Sequence, residues 1–154
     1  MGGRLRRNTH LAKAVPHFIL DTDHVTLFQR AHSLVKERVL ALPFGDVVTT
    51  IVTAEEQLRG RLKAVRRASD GPTLIAAYNR MQATLDFFQR MPLLGFETHA
   101  YERFSRLREQ RIRIGTHDLR IAAIALTAEA VLVTGNLRHF SQVPGLVLED
   151  WSAR

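Results

Sequence analysis

Acidic side chains stand at three separate junctions between predicted elements of this chain. Asp21 and Asp23 follow the apolar stretch HFIL, and Glu55 and Glu56 follow DVVTTIV. Asp118 heads GTHDLRIAAIAL, a run rich in small apolar residues. Carboxylates that lie close together repel one another, and one takes up a proton unless a cation lies between them. Carboxylate oxygens suit Mg²⁺ and Mn²⁺, and a metal-bound water can attack phosphorus.

Each acid also has an interpretation that needs no metal. Asp118 would complement the dipole at the first turn of a helix, an effect typically worth about 0.3–1 kcal/mol. Thr53 and Glu56 have the spacing of a capping box. Asp21 and Asp23 are residue types that turns favour. These separate roles do not explain why acids recur at three junctions, so the sequence favours a shared carboxylate site.

The elements around these acids alternate between strand-like and helix-like segments. This order is typical of an α/β domain with a central, mostly parallel sheet. We predict strands at 17–21, 46–52, 130–134 and 146–150, and helices at 24–41, 53–68, 71–90, 98–112 and 118–129. The carboxyl ends of parallel strands open onto one edge of the sheet, where ligands bind. Asn136 follows the third predicted strand, so its amide oxygen would lie at the same edge.

Length and composition indicate one globular domain. The 154 residues are 45% hydrophobic and 24% charged, as in ordinary globular proteins. We expect a basic arm over residues 1–15 and one domain over 16–154. The sequence has neither a secretory signal nor an apolar run of about 20 residues, so we expect a cytoplasmic protein with no membrane partner. The absence of cysteine excludes disulfides and leaves oxygen and imidazole as metal ligands.

The net charge of +7 predicts a polyanionic partner. A carboxylate cluster on such a basic protein is typical of a metal-dependent nuclease. Arg59, Lys63, Arg66 and Arg67 are spaced i, i+4, i+7 and i+8, so they share one helix face. This face is either a binding surface for RNA phosphates or simply solvated. Because few aromatic residues lie among the basic ones, we do not expect base stacking to dominate recognition.

Four segments together resemble a known family. FILDTDHV, VTTIVTAEEQLRG, GTHDLRIAAIAL and VLVTGNLRHFSQVPGLVLEDW resemble, in order and spacing, the motif blocks of PIN domains, and in particular of VapC toxins. The resemblance covers residues 17–151. It implies a PIN-like α/β/α fold and an endoribonuclease that uses Mg²⁺ or Mn²⁺. It also implies a homodimer and a cognate antitoxin protein that holds the toxin inactive. The alternative is a PIN-fold protein that binds or processes RNA without an antitoxin.

The resemblance assigns three acids as catalytic residues and metal ligands. Asp21 matches the first family acid, and Asp118 matches the third. Glu56 matches the second, because it lies three residues after Thr53 and four before Gly60. The neighbouring Glu55 could also turn inward, and we rank it below Glu56.

The fourth block departs from the most acidic pattern of the family. Asn136 stands where many relatives have aspartate, and His139 rather than an acid precedes Phe140. A neutral amide contributes less charge than a carboxylate. We therefore keep Asn136 as a catalytic candidate and expect one well-held metal ion rather than two. Asp23, Glu55 and Thr134 are secondary candidates.

Overall fold

The computed structural model describes residues 16–154, and the predicted arm over residues 1–15 lies outside the described residues. The strands are β1 (Phe18–Leu20), β2 (Val47–Thr50), β3 (Leu93–Leu94), β4 (Val131–Val133) and β5 (Leu148–Glu149). The helices are α1 (Thr22–Gln29), α2 (Ser33–Ala41), α3 (Ile51–Arg67), α4 (Gly71–Arg90), α5 (Thr98–Glu109), α6 (Thr116–Ala128) and α7 (Leu137–Phe140).

The five strands form one sheet in the order β3-β2-β1-β4-β5. Every pairing is parallel, with Ile19 opposite Val48 and Leu20 opposite Val133. The chain runs from β1 outward through β2 and β3, and then returns to β4 on the other side of β1. The strand order therefore reverses between β1 and β4, where α/β sheets bind ligands. The predicted α/β class with a central parallel sheet is confirmed.

Alternate strand residues face opposite sides of the sheet, and each side carries its own core. Ile19 and Leu132 pack on one side with buried residues of α5 and α6. Leu20 and Val133 pack on the other side with residues of α1 and α2 and with Trp151. The small residues of α6 are fully buried, including Ala122. Their size allows α6 to lie close to the sheet, which brings its first turn to the carboxyl edge.

The structure corrects several predicted boundaries. The single helix predicted over 24–41 is two helices, because Ala31 has a φ of 57°. The backbone N–H of His32 donates to the carbonyl of Leu27 across this left-handed residue, which ends α1. Strand β2 ends at Thr50, whose hydroxyl caps α3 by accepting from the N–H of Thr53. The short elements β3 and α7 were not predicted.

Within residues 16–154, no helix combines the length and the apolar character that a membrane crossing requires.

Candidate active site

Asp21 is the most constrained of the predicted site residues. It follows β1 and is 7% exposed. Its Oδ1 accepts from the backbone N–H of Thr22 at 2.8 Å, and its Oδ2 accepts from the hydroxyl of Thr134 at 2.9 Å. Burial raises the pKa of Asp21 to about 7, and repulsion from Asp23 and Asp118 adds to this rise, against the lowering effect of the two hydrogen bonds. Carboxylates from α1 and α6 therefore lie close enough to act on one another.

Glu56 faces the same region from α3. Its Oε2 accepts a 2.6 Å hydrogen bond from the hydroxyl of Thr22, the residue after Asp21. The Thr22 oxygen also lies 3.2 Å from the hydroxyl of Thr53. The capping-box interpretation of Thr53 and Glu56 is wrong, because Thr50 is the cap and Thr53 lies buried within the helix. Glu56 is instead held by the hydroxyl of Thr22, the residue that follows Asp21.

Glu55 points to a different set of partners. Its carboxylate is 3.1 Å from the guanidinium of Arg59 and 3.2 Å from Nε2 of His117. It is an exposed residue, whereas Glu56 is half-buried. The two neighbours are thus separated by the helical rotation of about 100° between consecutive residues. This placement agrees with the ranking of Glu56 above Glu55.

Asp118 lies in the first turn of α6, as predicted. Its Oδ2 is 3.2 Å from Nε2 of His139, and both side chains are 31% exposed. His139 belongs to α7, so this contact joins the third and fourth motif blocks. Asp118 does more than complement the dipole of α6, because its carboxylate also raises the pKa of Asp21.

Two hydrogen bonds from backbone N–H groups to side chains fix the turn after β4. The N–H of Asn136 donates to the hydroxyl of Thr134, which in turn donates to Asp21. The N–H of Gly135 donates to Oδ2 of Asp23 at 2.8 Å. A Cβ at residue 135 would lie 3.0 Å from that oxygen, so glycine permits this close approach. The exposed side chain of Asn136 makes no capping hydrogen bond and faces solvent near the carboxylates.

His24 is a buried part of this arrangement, and its role was not predicted from the sequence. It is 0% exposed, and its Nδ1 lies 2.9 Å from Oδ1 of Asp23. Its Nε2 accepts from the backbone N–H of Trp151 at 3.1 Å and lies 3.2 Å from Oδ1 of Asp150. His24 therefore links the carboxyl-terminal segment to the acid that holds Gly135. The signal in the sequence was its spacing. His24 lies three residues after Asp21, on the side of α1 that is buried.

The predicted basic face of α3 lies in solvent. Arg59, Lys63, Arg66 and Arg67 are all exposed, and Arg59 forms the ion pair with Glu55. The face begins beside Glu55 and runs away from the carboxylates along α3. Among residues 16–154, no group of three or more acidic and histidine side chains has an arrangement able to hold a metal ion by itself.

Two curated relatives share local sequence similarity with this chain. It is 37% identical over 75 residues to Ribonuclease VapC2 of Rickettsia felis, covering 46% of this chain and 56% of that protein. It is 36% identical over 69 residues to the tRNA(fMet)-specific endonuclease VapC of Salmonella typhimurium, covering 42% and 52%. These alignments span about half the length of each relative. No family model matches the sequence.

A solved structure is similar over nearly its whole chain. The DNA-bound VapBC complex of Salmonella typhimurium contains a chain that aligns with a TM-score of 0.74 and 26% identity, covering 88% of this chain and 98% of that one. The chain is therefore similar to VapC proteins in local sequence and in fold. In this chain, Asp21, Glu56 and Asp118 come from three elements that meet at the carboxyl edge of the sheet.

Proposed function

We propose that this chain is a VapC-type, divalent-metal-dependent endoribonuclease and the toxin of a toxin–antitoxin pair. The observation that carries the proposal is the buried carboxylate of Asp21, whose pKa is raised to about 7 by burial and by the nearby Asp23 and Asp118. A cation would relieve both effects. The names of the two relatives, a ribonuclease and a tRNA endonuclease, support RNA as the substrate.

The donor set fits Mg²⁺ or Mn²⁺. Mg²⁺ is usually held by one or two protein carboxylates, several waters and substrate oxygens, so a preformed group of three ligands is not required. Asp21 and Asp118 would hold the ion, and Glu56 would contact it directly or through water. When bound, the ion would supply an activated water and neutralise charge on the phosphate.

The chain's own residues prepare this site. Thr134 and the N–H of Thr22 orient the two oxygens of Asp21, and the Thr22 hydroxyl orients Glu56. Asn136 offers an uncharged donor and acceptor on the solvent side, where a phosphate or a water would lie. The exposed Lys63, Arg66 and Arg67 would bind RNA phosphates farther along α3.

An antitoxin partner is part of the proposal, and one surface suits it. A cleft of about 460 Å³ lies between the α1–α2 pair and the end of α4, and it is lined by Phe28, Leu40, Leu42, Phe44 and Phe87 among others. Phe44 is 88% exposed at its edge. Exposed apolar surface of this kind accepts an amphipathic helix of a partner protein. Apolar side chains are also exposed on α3 and α4, among them Leu62 and Ile75. On the same grounds, these side chains would form the interface of a homodimer.

The alternative is an RNA-binding protein of the same fold that does not cleave. It is favoured by the lack of a preformed three-ligand group in residues 16–154. The test is incubation of the purified chain with a pool of transfer RNA in Mg²⁺, in Mn²⁺ and in excess EDTA. Cleavage in either metal and none in EDTA supports the nuclease. Binding without cleavage in all three conditions supports the alternative.

A further inference from the structure

A shallow cleft lies at the start of α3, where Glu55 is one of its lining residues. Its volume is about 360 Å³, within the roughly 300–1,000 Å³ range of small-ligand sites. It is lined by the first turn of α3, the segment before α5, α5 itself and the first half of α6. The carboxylate of Glu55 is 3.2 Å from Nε2 of His117, the residue before Asp118, so the cleft is connected to the first turn of α6.

Three aromatic side chains form one wall of this cleft. The rings of Phe96 and Phe104 meet edge to face, with centroids 5.9 Å apart. Tyr101 packs against both rings and is 58% exposed. Phe104 is buried and forms the base of the group. The cluster is therefore packed at its base, and the ring of Tyr101 is exposed to solvent. An aromatic side chain that only fills a core would be buried.

A cation lies over the same cluster. The guanidinium carbon of Arg120 is 5.6 Å from the centroid of the Phe104 ring. Arg120 forms no salt bridge to any carboxylate of residues 16–154. Glu55, the acid that lines the cleft, is engaged by Arg59 and His117 instead. A half-buried arginine whose charge is not neutralised by an acid is available to an anionic ligand.

We propose that this cleft binds one unpaired nucleotide of the RNA substrate, next to the phosphodiester that is cleaved. The base would stack on the exposed ring of Tyr101, which Phe96 supports edge to face, and Arg120 would contact the phosphate of the same nucleotide. This inference rests on the proposed function and assigns to it a position that holds one base of the RNA. Single-stranded RNA is recognised by stacking on aromatic and arginine planes, whereas a duplex hides its base faces.

The inference gives base stacking a larger role than the sequence predicted. Stacking was not expected to dominate recognition, because few aromatic residues lie among the basic ones along the chain. The fold brings Tyr101 and Phe96 beside Arg120, which is on a different helix. The proximity of these aromatic rings to an arginine therefore depends on the fold and cannot be read from the sequence.

The test uses the full chain and a short single-stranded RNA that carries 2-aminopurine, a base whose fluorescence is quenched by stacking. Binding is measured in EDTA, where the proposed nuclease does not consume the RNA. We expect Tyr101→Ala to raise the Kd roughly 5- to 100-fold, as for loss of one base stack, and to remove the quenching. Tyr101→Phe retains the ring and should retain both signals. Arg120→Gln should raise the Kd and reduce the salt dependence of binding.

The matched control is Tyr78→Ala. Tyr78 is 54% exposed on α4, outside the cleft, and it is the only other tyrosine of the chain. Its replacement should leave the Kd and the quenching unchanged. Equal behaviour of the two alanine variants would overturn the proposal. So would a loss of dimer in Tyr101→Ala by sedimentation equilibrium, which would assign the cleft to contact between copies of the chain.

The result separates this inference from the proposed function. If Tyr101→Ala weakens binding but the unaltered chain cleaves no RNA in Mg²⁺ or Mn²⁺, the nucleotide site stands and the nuclease fails. If the unaltered chain cleaves RNA and Tyr101→Ala binds and cleaves equally well, the nuclease stands and the nucleotide site fails.

Discussion

The backbone N–H of Trp151 donates a 3.1 Å hydrogen bond to Nε2 of the buried His24. Through the other ring nitrogen, His24 contacts Asp23, and Asp23 accepts from the N–H of Gly135 in the turn after β4. The carboxyl-terminal segment of the chain is thereby connected to the edge of the candidate active site. Asp150 takes part as well: burial raises the pKa of its carboxyl, but hydrogen bonds from Ser152 and the nearby His24 outweigh this and lower it.

Replacing His24 by leucine should destabilise the fold. The change leaves the Trp151 N–H buried without an acceptor and removes a partner of Asp23, and such a loss costs about 1–3 kcal/mol. Urea denaturation measures the free energy of unfolding. His99→Leu is the control, because the His99 side chain is 85% exposed, and it should change stability little. Equal stabilities of the two variants would mean that the His24 contacts contribute nothing.

The metal-free protein should lose stability as the pH rises from about 4 to about 7. The pKa of Asp21 is raised from 3.8 to about 7 in the folded chain, so the folded state binds more protons than the unfolded state in this window. Stability then falls with increasing pH, by an amount on the order of 2–4 kcal/mol across the window.

Asp21→Asn isolates this contribution from those of other acids. The variant has no proton to lose at residue 21, so its stability relative to the unaltered chain should increase between pH 4 and pH 7. Thermal melts of both proteins in EDTA, at half-unit pH steps, give the difference. A difference that does not change with pH would show that burial does not raise the pKa of Asp21.

The sequence predicted the architecture and the edge of the sheet at which the candidate acids lie, but it did not predict the contacts that these acids make. Parallel strands with acids at their carboxyl ends are a local pattern, and they were sufficient to place Asp21, Glu56 and Asp118 at one edge. The roles of Thr22 and His24 depend on hydrogen bonds to residues 34 and 127 positions away. The break at Ala31 was not predicted either, because alanine favours a helix, whereas its φ in the structure is 57°.

Glu56→Gln should impair RNA cleavage much more than Glu55→Gln. Glutamine preserves the size of both side chains, and at residue 56 it can still accept from Thr22, but the charge next to Asp21 is lost. Glu55 is exposed and is engaged by Arg59 and His117, so its charge acts mainly outside the carboxylate group. Single-turnover cleavage rates in Mg²⁺ compare the two. The reverse ranking would mean that Glu55 is the second acid of the site.

Removing two charges from the basic face of α3 should reduce the salt dependence of RNA binding. Lys63→Gln together with Arg66→Gln should weaken binding and lower the slope of log Kd against log salt by about 1–2, since each phosphate contact releases about one counterion. Arg59 is left in place because it pairs with Glu55. Arg30→Gln with Lys36→Gln removes the same charge from α1–α2 and is the matched control. Equal slopes for the two double variants would assign the α3 face to solvent.

Cleavage by Asp118→Asn is the most direct test that the carboxylate group is a metal-dependent nuclease site. Asparagine preserves the size of the side chain and its contact with His139, but it removes the charge that would offset a divalent ion. We expect RNA cleavage in Mg²⁺ or Mn²⁺ to be lost, while the melting temperature in EDTA stays the same or rises slightly because repulsion with Asp21 is relieved. A variant that is less stable by about 0.3–1 kcal/mol yet cleaves RNA at the unaltered rate would contradict the account, because Asp118 would then serve only the helix dipole.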